Sequence, residues 1–126
     1  MRKQAILVID DEEDICWYTK TILEKTGKFD VIYSTNGEQG INLAKTTLPD
    51  LVILDVNMPF IDGGEVAAIL RADELTKHIP IIFLTALLKK EEEINLAQQG
   101  SKKVFLAKPI TAVQLIEKIE ECLGNK

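Results

Sequence analysis

Five apolar runs of strand length, each followed by a longer stretch with helical spacing, set the narrowest limit on how this chain can fold. The runs are Ala5–Ile9 (AILVI), Val31–Ser34 (VIYS), Leu51–Leu54 (LVIL), Ile81–Leu84 (IIFL) and Val104–Ala107 (VFLA). Four are almost wholly apolar, as strands are when helices cover both of their faces; VIYS is the least apolar and reads as an edge strand. Ile15, Tyr18, Ile22 and Thr26 mark one face of a first helix that ends at Gly27. Ile41, Ala44 and Leu48 mark a second, terminated by Pro49, and Val66, Ile69 and Leu70 a third. A fourth, around Glu91–Gln99, has a thin apolar face of Ile94 and Ala97 and stops at Gly100. The fifth is the cleanest stripe: Ala112, Leu115, Ile116, Ile119, Cys122 and Leu123, ended by Gly124. Repeated β–α units imply one parallel sheet with helices on both faces. At 126 residues the chain is too short for an eight-unit barrel. The expectation is an α/β, doubly wound (βα)5 fold, with residues 1–126 as a single domain.

In open sheets of this kind ligands bind beyond the carboxyl ends of the strands. The first strand runs into Asp10-Asp11, the third into Asp55, the fourth into Thr85 and the fifth into Lys108-Pro109. Taken singly, each has a plain structural explanation. The acidic run Asp10–Asp14 suits a helix N-terminus, and Asp55 is a good turn former. Taken together, three carboxylates, a hydroxyl and an amine converge on one edge of one sheet. Carboxylates that close repel and raise one another's pKa unless a cation intervenes. Mg²⁺ (or Mn²⁺) is the economical choice, because it takes oxygen ligands and pairs with phosphate. Lys108 then supplies a point charge for a phosphate oxygen and Thr85 a single donor. With Asp55 as nucleophile, these are the parts needed to transfer a phosphoryl group onto an aspartate.

Other classes find less support. The apolar content of 46% and charged content of 28% are those of a globular chain. A net charge of −5 without a basic stripe argues against direct nucleic-acid binding. The first apolar run is too short to span a membrane and has no small-residue cleavage site, so a soluble, cytoplasmic protein without membrane association is expected. Cys16 and Cys122 lie far apart with no C-x-x-C, and His78 is the sole histidine, which disfavours zinc or Cys-His chemistry; both thiols read as buried and reduced. Trp17 reads as packing or a partly exposed aromatic, His78 as a solvated loop residue, and Lys89–Glu93 as an exposed helix start.

Four motifs in order carry a family resemblance: VIDDE at Val8–Glu12, LDVNMPFIDG at Leu54–Gly63, LTA at Leu84–Ala86 and FLAKP at Phe105–Pro109. Through them essentially the whole chain resembles the receiver domain of two-component response regulators, the CheY-like fold. The resemblance implies strand order 2-1-3-4-5 and Asp55 as the phosphoacceptor, served by a sensor histidine kinase or a histidine phosphotransfer protein. It further implies Mg²⁺ held by Asp10, Asp11, Asp55 and the backbone carbonyl of Asn57. Lys108 would bind a phosphate oxygen, Thr85 would swing toward the phosphoryl group, and Phe105 would follow as the aromatic switch residue. Pro109 would follow a cis peptide bond, and Gly63 would occupy a crowded position. A downstream effector would meet the face formed by the fourth helix, fifth strand and fifth helix. Such a protein turns over no external substrate. Ile110, Ser101 and Leu87 depart from the usual pattern; an apolar Leu87 would shield the phosphoryl group and slow its loss. An aspartyl-phosphate phosphatase of the haloacid dehalogenase type would require Thr at position 14, where the chain has Asp14. A flavodoxin-like carrier would need a Thr/Ser/Gly-rich loop where this chain is acidic. The alternative that remains is a receiver-fold docking module that acts independently of phosphorylation.

Overall fold

The computed structural model describes residues 3–59, 61–85 and 104–124. In chain order they form β1 (Gln4–Ile9), α1 (Glu13–Glu24), β2 (Phe29–Ser34), α2 (Gly37–Thr47), β3 (Leu51–Asp55), α3 (Gly63–Ala72), β4 (Ile81–Thr85), β5 (Val104–Ala107) and α4 (Ala112–Cys122). The segment expected to form the helix around Glu91–Gln99 lies outside the described residues, as do Leu87 and Ser101. All five strands are parallel, in the order β2-β1-β3-β4-β5. The chain thus moves outward from β1 in one direction to β2 and in the other to β3, β4 and β5. The β1–β3 seam is where the winding reverses, and the helices leave opposite faces on its two sides.

Two apolar layers follow. One face of the sheet packs Ile6, Val8, Ile53, Ile82 and Leu84 against Cys16 and Leu23 of α1 and Leu115 and Ile119 of α4. The other packs Leu7, Ile9, Val52, Leu54 and Phe83 against Ile41 and Ala44 of α2 and Val66, Ala67 and Leu70 of α3. β3 and β4 are buried along their whole length, which is why their sequences show no polar alternation. β2 is an edge strand, as its weaker apolar character implied, and alternates between buried and exposed positions. Side-chain oxygens of Asn36, Asp62 and Thr111 accept the backbone N–H three residues on and so start α2, α3 and α4. Among the described residues no helix is long and apolar enough to cross a membrane.

Helix faces differ from the sequence reading in three places. α1 buries Cys16, Thr19 and Leu23, while Tyr18 is exposed and Ile15 and Ile22 lie at the margin; the buried stripe sits one position beyond the one expected. Both stripes are apolar enough, and contact with the sheet and α4 decides between them. Leu48 leaves the core altogether: it is the C-cap of α2, at a left-handed φ of 48°, with its side chain in solvent. Ile69 is also exposed, and Ala67 takes its place inside α3. β1 and β2 begin one and two residues earlier than expected, and β3 and β4 each end one residue later, at Asp55 and Thr85, because the ladder runs beyond the apolar side chains; β5 keeps its bounds.

Thr19 is fully buried, and its hydroxyl has no hydrogen-bond partner among the described residues. An unpaired buried hydroxyl is costly, and valine has the same shape without it. Thr19→Val is therefore expected to raise unfolding free energy by about 1 kcal/mol, read as a higher urea midpoint at an unchanged slope.

Candidate functional site

Strand register brings the site together. Ile9 of β1 lies opposite Leu54 of β3, so the residues that follow, Asp10 and Asp55, emerge side by side. Asp55 pairs with Leu84, and Leu84 with Leu106, so Lys108 comes out two residues further along on the same side. The ladder continues one step past the strands. Backbone N–H groups of Asp10, Val56 and Lys108 donate to the carbonyls of Ser34, Leu84 and Thr85 at 3.1, 2.9 and 2.8 Å. The functional side chains consequently stand on hydrogen-bonded backbone. The Lys108–Pro109 peptide bond is cis, as the motif implied.

At the centre is an ion pair between the Lys108 ammonium and Asp10 Oδ2 at 2.8 Å, with Asp55 Oδ1 at 3.6 Å and Glu12 Oε1 at 3.7 Å. The Asp10, Asp55 and Lys108 side chains are only 0%, 3% and 10% exposed. The second Asp10 oxygen, Oδ1, accepts the Glu12 N–H at 2.9 Å, and Asp55 Oδ1 accepts the Asn57 N–H at 3.2 Å. Asp10 thus turns the chain toward α1 with one oxygen while the other faces Lys108. Asp10 Oδ2 accepts no hydrogen bond of ordinary geometry, despite the nearby ammonium. Oxygens of Asp10, Asp11 and Asp55 all lie within 4.8 Å of one another.

Electrostatics record that crowding. Burial, then the charge of Asp10, then a hydrogen bond with the Asp11 carboxyl push the pKa of Asp55 up to about 7, against the pull of Lys108 and the Asn57 N–H. Burial disfavours the Lys108 ammonium, but Asp10, Asp55 and Glu12 outweigh it and raise its pKa. One ammonium thus does not balance the set. A second cation would find one oxygen ligand from each of Asp10, Asp11 and Asp55, and this hard-oxygen donor set fits Mg²⁺. Thr85 lies beside the cluster at the end of β4, buried, with Ala107 as its β5 neighbour. An open cleft of about 500 Å³ lies next to Asp11, between Asn36-Gly37 and Met58-Pro59.

Gly63 occupies the crowded position expected of it. A Cβ there would collide with the Asp55 carbonyl oxygen and come within 2.8 Å of Val56 Cα, so α3 begins directly against the backbone of Asp55. Two neighbours escaped the sequence reading as site residues. Glu12 was seen as part of a helix-capping acidic run, yet it approaches Lys108. Cys16 donates to the Asp10 carbonyl at 3.2 Å, and burial followed by the Asp10 charge pushes its thiol up to about 12, which makes it inert at neutral pH. Trp17 and His78 lie exposed and away from the cluster.

A doubly wound parallel sheet with clustered carboxylates and a lysine beyond its strand ends defines an open α/β protein with a charged site at its switch point. Within that class the chain belongs to the response regulator receiver family: the receiver domain model matches residues 6–120. The polar-differentiation response regulator DivK of Brucella anthropi is 30% identical over 122 residues, covering 97% of this chain and 98% of its own. Among solved structures, the receiver domain of Francisella response regulator 1452 superposes with a TM-score of 0.82 at 30% identity, over 97% of this chain and 98% of that one. The receiver domain of a Pseudomonas aeruginosa sensor histidine kinase, with a magnesium ion coordinated in its active site cleft, gives 0.84 at 27%, over 98% and 100%.

The raised Asp55 pKa has a consequence for metal-free protein. Between pH 3.8 and about 7 the folded state keeps a proton that the unfolded chain has lost. This group's stabilising contribution is thus complete below the unfolded value and lost as pH rises through the folded one. The Asp55→Asn variant should reveal it: its stability advantage over wild type, measured in chelator by urea unfolding, grows from about pH 4 to about pH 7 and is level above.

Proposed function

We propose that this chain is a phosphorylation-operated switch whose phosphoacceptor is Asp55. The observation that carries the reading is the buried Asp10–Lys108–Asp55 cluster, with Asp11 completing a set of oxygens that calls for a further cation. Asp10, Asp11, Asp55 and the Asn57 carbonyl would hold Mg²⁺ (or Mn²⁺). When bound, the ion would neutralise the carboxylates and the oxygens of the arriving group. A sensor histidine kinase or histidine phosphotransfer protein supplies the phosphoryl group. An Asp55 carboxylate oxygen forms the new P–O bond, the P–N bond of the phosphohistidine breaks, and the departing imidazole takes up a proton. Lys108, whose charge is reinforced by three carboxylates, moves its attraction onto a phosphoryl oxygen. Burial of Asp55 excludes competing water and strengthens these contacts.

The product is an aspartyl phosphate, larger and more negative than the carboxylate it replaces, with additional acceptor oxygens. Thr85 and Phe105 respond to it and bias a two-state equilibrium. Both side chains have the same parity, on the sheet face that carries α2 and α3. The effector surface comprises β5, α4 and the sequence's fourth helical segment. The protein promotes its own phosphorylation and dephosphorylation and turns over no external substrate.

Incubation with acetyl phosphate and Mg²⁺ should give wild type one acid-stable, base-labile label that Asp55→Asn lacks. Lys108→Ala should keep metal affinity while losing most of the labelling rate. An unlabelled wild type would leave the phosphorylation-independent docking module as the better reading.

A further inference from the structure

Phe83 and Phe105 face each other directly across the β4–β5 ladder. Their ring centroids are 5.0 Å apart and the planes differ by 21°, a stacked pair. Phe83 is buried in the layer beneath α3, and the Arg71 guanidinium in the last turn of that helix lies 6.0 Å from its ring centre. Phe105, half-buried, leans on the same layer. Thr85 follows two residues after Phe83 on the same side of β4, with Ala107 as its β5 neighbour. The ring at 105 thus has an aromatic seat on the sheet that requires nothing from the phosphoacceptor.

We infer that Phe83 is a positioning residue that holds the Phe105 ring against the sheet before any phosphoryl group arrives, so that this receiver starts with its aromatic switch largely set. The inference rests on the reading of Thr85 and Phe105 as the switch. A stack of this kind shifts a two-state population by roughly two- to tenfold. Linkage is reciprocal: whatever factor the phosphoryl group lends the inward ring, the inward ring lends the phosphorylated state. With Phe83 in place, phosphorylation has less ring movement left to drive. Arg71 caps the outer side of the stack and ties its position to α3.

Ring NMR of Phe105 in the full chain, with and without beryllofluoride and Mg²⁺, tests this for wild type and Phe83→Leu. Wild-type signals should sit at ring-current-shifted positions without the mimic and change little on adding it. In Phe83→Leu they should start displaced and return toward the inward position with the mimic. Phe83→Met, closer in volume, replaces the leucine variant if that one does not fold. A double-mutant cycle of Phe83→Leu and Phe105→Leu in urea should give a coupling of roughly two- to tenfold in the unfolding constant. Equal ring movement in wild type and variant, or no coupling in the cycle, overturns the inference. Acetyl phosphate labelling of Asp55 on the same samples separates the two levels. No label on wild type defeats the proposed function, whereas the metal-free ring comparison and the cycle decide the role of Phe83 by themselves.

Discussion

The ion pair between Lys108 and Asp10 ties the two ends of this fold together. Asp10 leaves β1, next to the edge strand β2, while Lys108 leaves β5 at the opposite edge, and the pair closes over the ends of β3 and β4. Both side chains are almost fully desolvated, so neither charge tolerates the loss of the other; breaking such a pair costs about 3–5 kcal/mol. That attraction also has a functional cost. It holds one carboxylate in place but leaves Asp55 and Asp11 crowded, and the result is a carboxyl that titrates near neutrality. The pair therefore holds the cluster together while leaving its carboxylates short of positive charge, a shortage that suits a further cation.

The pleat of the strands divides the work. Residues two apart share a face, so Asp55 with Ile53, and Lys108 with Leu106, belong to the side covered by α1 and α4. Phe83, Thr85 and Phe105 belong to the side covered by α2 and α3. The carboxylate–lysine cluster and the aromatic pair are thus separated by the thickness of one backbone. Thr85 stands at the last position of its strand, where a side chain from the second face can still reach the first.

Much of this could be read in the chain itself. The five strands, the edge character of β2 and the convergence of Asp10, Asp11, Asp55, Thr85 and Lys108 follow from where each apolar run first turns polar. The order of the strands came from the motifs, since periodicity cannot rank parallel strands. What stayed hidden depends on tertiary choice. In α1, Ile15-Tyr18-Ile22 and Cys16-Thr19-Leu23 are competing stripes, and only packing against the sheet and α4 selects the second. Leu48 looked like core because its left-handed backbone leaves no trace in composition. The Phe83–Phe105 pair needs the β4–β5 register, which sequence spacing alone does not supply. Glu12 was masked by its acidic neighbours, any of which could cap a helix.

Gly63 has one more implication. Its N–H donates to the Val56 carbonyl at 3.0 Å, and its bare Cα rests on the Asp55–Val56 backbone. The connection between β3 and α3 is therefore fastened at its two ends and returns the chain to nearly its point of departure. A segment anchored this way keeps Asn57 beside the aspartate and fixes where α3 starts. Strand end and helix start are therefore one unit, and a side chain added at 63 would displace both together.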